Sequence, residues 1–131
     1  MTATAMTVAM LSVTFLTACT SDLPTYAIFE RPAEASDALP ADLPQDALDT
    51  LSPETARLAG EDAGSELYLV RSSDLTQTCL LAYATAEDWL LGCSEGDSFK
   101  VGMSPISYEV RADGMPAPKE KTKLTTNVYK P

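Results

Sequence analysis

The sequence predicts a small, mainly β domain. It is expected to be an antiparallel meander of about six or seven short strands forming a barrel or sandwich, preceded by a signal peptide and a proline-rich acidic tether. Three observations predict it. From residue 57 onward the chain falls into short runs, several of which alternate apolar and polar residues, the period of a strand with one buried face. Turn residues such as Gly64 and Asp113-Gly114 separate the runs. The connections are too short for crossover helices, so neighbouring strands should be antiparallel.

The elements follow in chain order. Residues 57–60 and 66–71 form a hairpin joined by Glu61-Asp62-Ala63-Gly64. Residues 79–83 and 89–93 form a second, symmetric about Ala86, which sets Tyr83 opposite Trp89, Leu81 opposite Leu91 and Cys79 opposite Cys93. Directly opposed Cβ atoms lie about 4.5–5.5 Å apart, near the reach of a disulfide; two buried free thiols are the alternative. In residues 99–103 and 106–111, Phe99, Val101, Met103, Ile106, Tyr108 and Val110 should point inward and Lys100, Ser107, Glu109 and Arg111 outward. Residues 124–129 form a last edge strand, for which lysine and threonine are suited.

Upstream of this domain, expected over residues 52–131, lies a segment of different character. Residues 19–51 contain Pro24, Pro32, Pro40 and Pro44, which interrupt any long helix, and seven carboxylates against Arg31 alone. An extended acidic tether is expected, with a short helix within residues 43–51 and a helical turn starting at Ser52-Pro53-Glu54. Tyr26-Ala27-Ile28-Phe29 would either dip into a membrane interface or strap across the domain.

Residues 1–18 are expected to be a signal peptide. The first charged side chain is Asp22, and the apolar stretch of residues 8–16 has the length of a signal-peptide core. It is shorter than the roughly 20 apolar residues of a membrane span. No Lys or Arg opens the chain, which leaves room for a true start upstream of Met1. The stretch ends in Leu16-Thr17-Ala18-Cys19, which resembles the lipobox of bacterial lipoprotein precursors. That resemblance implies cleavage before Cys19, a diacylglyceryl group on its sulfur, and anchoring to the outer face of the cytoplasmic membrane. With Cys19 consumed by lipid, Cys79 and Cys93 are left to pair. Cys79, Trp89 and Gly92-Cys93 are also similar in arrangement to the C-terminal part of many small bacterial lipoproteins, a resemblance that implies location and fold and no activity.

Composition narrows the chemistry. The net charge of -10 disfavours nucleic acid, and the absence of histidine excludes His-dependent nucleophile systems and His-ligated zinc. No phosphate loop, dinucleotide fingerprint or serine-nucleophile motif occurs. No cofactor, metal or catalytic residue is therefore expected. Glu87-Asp88 and Ser94-Glu95-Gly96-Asp97-Ser98 have the character of turns. From Phe99 onward basic residues outnumber acidic ones six to three, a composition suited to a solvated edge strand, a contact with the acidic tether or one with anionic lipid. Tyr68, Tyr83, Trp89 and Tyr108 are the candidate binding aromatics, with core packing as their alternative role. The expected function is a non-catalytic, membrane-anchored module that binds or senses an extracytoplasmic component. The alternatives are an accessory subunit of an envelope complex and, least favoured, a carboxylate-dependent cell-wall hydrolase with two carboxylates about 5–9.5 Å apart.

Overall fold

A computed structural model describes residues 23–131. The signal peptide and the lipobox residues Leu16, Thr17, Ala18 and Cys19 lie outside the described residues. Strands β1 (Arg57–Asp62), β2 (Ser65–Arg71), β3 (Thr78–Thr85) and β4 (Asp88–Ser94) form an antiparallel meander, here called sheet I. Strands β5 (Ser98–Met103), β6 (Ile106–Arg111), β7 (Thr122–Lys123) and β8 (Val128–Lys130) form sheet II in the order β5-β6-β8-β7. The two pack as a sandwich. The expected edge strand over residues 124–129 is corrected: residues 124–127 form a turn, in which Leu124 and Thr125 donate backbone N–H bonds to the Val128 carbonyl, only Val128 and Tyr129 are strand, in β8, and the edge is taken by β7.

Local chemistry accounts for the hairpins. Ala63 and Gly64, at φ 49° and 85°, make a two-residue connection whose two positive φ angles match the right-handed twist of the flanking strands. Strand pairing therefore reaches Asp62 and Ser65, and the expected four-residue connection shortens to two. In the second hairpin Tyr83 faces Trp89, Leu81 faces Leu91 and Cys79 faces Cys93, as the sequence symmetry requires. Cys79 and Cys93 form a disulfide with their Cα atoms 4.0 Å apart.

Sheet I is apolar on both faces. Towards sheet II it presents Leu67, Leu69 and Leu80, which meet Val101, Val110 and Val128. These residues are at most 3% exposed, and each buried aliphatic side chain contributes about 1.5–3 kcal/mol relative to exposure. Gly92 permits the close approach, because a Cβ there would stand 2.7 Å from Val101 Cγ2. On the opposite face Tyr68, Val70, Cys79 and Leu81 are covered by Leu43, Ala47, Leu51 and Ala56. These four belong to the short helix α1 (Gln45–Thr50), its flanks and a following 3-10 turn, Pro53–Thr55. The helix and turn lie where the sequence places them.

The described part of the expected tether is thus a third layer, which corrects the extended spacer. Acidity and prolines point to a spacer, but Leu43, Ala47 and Leu51 recur at near-helical spacing and give the segment an apolar stripe. Arg31-Pro32 and Glu34 lead to a buried latch at Asp37. Its carboxylate accepts bonds from Arg31 Nη1 and Nη2 and from the backbone N–H groups of Glu34 and Leu58, all at 2.7 Å. The Arg31 guanidinium, opposed in part by burial, holds the Asp37 carboxyl well below the usual carboxylate range. Tyr26 is 2% exposed and packs into the core between the sheets, with the Arg71 guanidinium stacked 4.4 Å from the Phe29 ring. Residues 26–29 are therefore a strap across the domain, and burial pushes the Tyr26 phenol up to about 12.

Two inward expectations in sheet II are also corrected. Met103 is 85% and Ile106 58% exposed, although both keep the strand period of Val101 and Tyr108. Glu109, expected in solvent, is buried beneath Lys121 at 2.6 Å and Arg111 at 2.9 Å. Burial raises its carboxyl, yet the two cations outweigh that and leave it below the usual range.

Two predictions follow from these contacts. Asp37→Asn should lower stability by about 2 kcal/mol at pH 7 by breaking charged bonds in a buried site. A depressed folded-state pKa contributes stability above the unfolded value of about 4 and loses it as pH falls through the folded value. The gap between wild type and variant in urea unfolding should accordingly be constant above about pH 5 and narrow towards pH 2. Gly92→Ala should cost about 1–3 kcal/mol through overpacking. In a Val101→Ala background the same change should cost measurably less, a coupling that chemical denaturation of the four variants will reveal.

Candidate functional site

The packing that holds the layers together stops short at one end. Three hairpin turns gather there: Ala63-Gly64 between β1 and β2, Ala86-Glu87 between β3 and β4, and Ser104-Pro105 between β5 and β6. Along β3 the residues facing sheet II change from Leu80 to Ala82 and Ala84. The alanines leave the β5–β6 tip without large partners, and the space between is an open cleft of about 690 Å³. That volume lies within the range of ligand pockets. Leu90, Met103, Pro105 and Ile106 form its apolar part.

Polar groups converge at one side. Asp62, at the end of β1, accepts from Tyr108 Oη at 3.1 Å and from Lys130 Nζ at 2.7 Å. Each of its oxygens is thereby engaged. Burial, then the bond to Asp62, pushes the Tyr108 phenol up to about 12, so it stays protonated and donates at neutral pH. Asp88, at the start of β4, completes this wall. The C-terminal residues Lys130 and Pro131 close it from sheet II.

The candidate aromatics divide between two places. Tyr108 lines the cleft. Tyr68, Tyr83 and Trp89 lie on the other face of sheet I with the N-terminal layer, and Trp89, opposite Tyr83, only borders the cleft. There Tyr68 Oη donates to Glu66 at 2.6 Å, and Tyr83 Oη donates to Asp42. The bond to Asp42 and some burial push the Tyr83 phenol up to about 12. Sequence reasoning missed Asp62, Lys130, Ala84 and the exposure of Met103 and Ile106. The step from leucine to alanine along one face of β3 is the signal that would have found the gap.

The remaining candidates are structural. In the expected turn at residues 94–98, Ser94 Oγ accepts from the Gly96 N–H at 3.0 Å and the Asp97 carbonyl accepts from Ala112 at 2.8 Å. A smaller cavity of about 240 Å³ lies beside Ala27, Asp113 and Asn127, whose polar atoms are bonded to one another. Among the described residues no group of three or more Cys, Asp or Glu side chains is placed to hold a metal ion, and no helix is long and apolar enough to cross a membrane. Compared with protein-family models, curated proteins and solved structures, the chain matches none.

Proposed function

We propose that this chain is a lipid-anchored extracytoplasmic protein of the bacterial cytoplasmic membrane whose β domain binds another component through the cleft between the β3–β4 and β5–β6 turns. The observation that carries the reading is the contiguous apolar surface of Leu90, Met103, Pro105 and Ile106, beside a bonded polar set and with two of its members strongly exposed. A patch of this kind on a small domain marks an interaction site. A binding role accords better with the wall than hydrolysis does, because Asp62 has both oxygens committed to Tyr108 and Lys130.

The cysteines support the location. Cys79 and Cys93 pair with each other, and disulfides persist in oxidising compartments outside the cytosol. Cys19 is then the one cysteine left over, and it stands at the end of the lipobox-like Leu16-Thr17-Ala18-Cys19. Two acyl chains on one residue give stable anchoring where one gives marginal binding. Tyr26, the first deeply buried side chain among the described residues, follows seven residues later, so lipid and domain would be joined by a short link.

Intact mass of the full-length chain, expressed in a bacterial host and extracted from membranes with detergent, tests this reading. The expected species lacks residues 1–18, carries a diacylglyceryl group on Cys19 and gains two hydrogens on reduction. An uncleaved chain with three free thiols would refute it.

A further inference from the structure

We propose that the outer face of sheet II, where four of the chain's five lysines stand, rests on anionic lipid headgroups of the bilayer that holds the anchor, with the acidic N-terminal layer turned away from it. The proposal rests on the reading of Cys19 given above and adds to it which face of the domain meets the membrane.

The strand period places the lysines. In β5 Phe99 and Val101 turn towards sheet I, so Lys100 between them turns outward. Its cross-strand partner is Glu109, which in turn faces Tyr129, and Tyr129 faces Lys123 of β7. One row across the four strands therefore carries a lysine at each margin. The segment after β6 then crosses this face. Arg111 donates to the Pro116 carbonyl at 2.6 Å, Lys121 covers Glu109 at 2.6 Å, and exposed Lys119 lies between Pro116 and Lys121 in the chain. Against Lys100, Arg111, Lys119, Lys121 and Lys123 stand two carboxylates, the buried Glu109 and the exposed Glu120. Among the described residues Lys100, Lys119 and Lys123 form no ion pair within 4.0 Å.

The opposite surface of the domain has the other sign. Residues 39–56 carry Asp42, Asp46, Asp49 and Glu54 and no Lys or Arg. The layers stack at about 10 Å each, so the two outer surfaces are further apart than the Debye length of about 8 Å at physiological ionic strength. A charged plane therefore feels whichever surface is turned to it. A net charge of -10 keeps the chain as a whole off free polyanions. A lipid anchor changes that balance, because it supplies the bilayer at high effective concentration and leaves only the rotation of the domain to be decided. The chain enters beside the lysine face: Thr25 O accepts from the Asp113 N–H at 2.9 Å, and Asp113 begins the segment that crosses sheet II. Cys19 and Thr25 are six residues apart, a reach of up to about 20 Å, so the link permits this contact without imposing it. Charge makes the choice. Anionic headgroups attract the lysines of sheet II and repel the carboxylates of residues 39–56.

Lysine acetylation read by mass spectrometry tests the contact. The full-length chain, expressed in a bacterial host and extracted with detergent, is reconstituted in vesicles of phosphatidylcholine alone or with about 30% phosphatidylglycerol and treated with an acetylating ester. Lys100, Lys119, Lys121 and Lys123 should react at least about threefold more slowly on the anionic vesicles, and the difference should vanish in about 0.5 M sodium chloride. Lys130, on the inward side of sheet II against Asp62, should react equally on both. Lys100→Gln, Lys119→Gln and Lys123→Gln together remove no ion pair, so the triple variant should melt as wild type does while its Lys121 reacts equally on both vesicles. Equal reaction of the wild-type lysines on both vesicles, or protection of Lys121 that survives in the folded triple variant, would overturn the proposal. So would equal protection by soluble polyphosphate added to the phosphatidylcholine vesicles, which would make the face a site for free polyanions. Intact mass of the same sample separates the two readings. A chain with no lipid on Cys19 refutes the anchor and the orientation together, whereas a lipidated chain whose lysines react equally on both vesicles refutes the orientation alone.

Discussion

Both faces of sheet I are apolar, and a sheet of that kind must be covered twice. In β3, Thr78, Cys79, Leu80, Leu81 and Ala82 are all buried, so successive side chains enter opposite cores. Sheet II covers one face with Val101, Val110 and Val128; the segment of residues 39–56 covers the other with Leu43, Ala47 and Leu51. Removing either cover would expose a contiguous apolar surface to water, at roughly 25 cal/mol per Å². A chain of this length can build only a limited core, and this one divides it into two thin layers. The disulfide between β3 and β4 lies in the layer covered by the shorter segment.

Buried charges fasten the covers. Asp37 links Arg31 and the turn at Glu34 to the Leu58 amide of β1, which also occupies a backbone donor on the edge of sheet I. Glu109 joins Lys121 and Arg111 over the outer face of sheet II, and Arg111 goes on to the Pro116 carbonyl at 2.6 Å. Both carboxylates lie in low-accessibility sites where an unpaired charge would be expensive, so the cations are part of the fold. Of the lysines near the C-terminus, Lys121 and Lys130 each answer an acid of the domain. Part of the uneven charge along the sequence is thereby internal pairing.

Strand identity and the Cys79–Cys93 register were legible because two-residue periodicity and the symmetry about Ala86 are local properties. The third layer was less legible. Its apolar residues Leu43, Ala47 and Leu51 are interleaved with Pro40, Pro44 and Asp42, and local composition there favours a solvated chain; only the apolar even-numbered face of β2, Tyr68 and Val70, shows that a cover is required. Met103 and Ile106 were misplaced for the reverse reason. Their period is right, but whether a periodic face is buried depends on the length and side-chain size of the facing strand, and β3 ends in alanines. The cleft is the result of that mismatch, so Tyr108 could be named as a candidate without its place beside the cleft being known, and Trp89, named with it, packs on the other face of sheet I. Asp62 and Lys130 are 68 residues apart, a separation at which periodicity carries no information.

Fold and site are thus two consequences of one arrangement, in which covers held by buried charges enclose a doubly apolar sheet and stop before its hairpin end. The most direct test is amide hydrogen exchange of the intact chain by mass spectrometry, resolved to peptides covering residues 39–56. If this segment is a structural layer, the amides of α1 and of Leu51 and Ser52 will exchange far more slowly than those of an unstructured chain, and their protection will fall together with that of β2 and β3 as denaturant is added. Exchange of residues 39–56 at the rate of a free peptide while β2 and β3 remain protected would contradict the account, because sheet I would then be stable with one face bare.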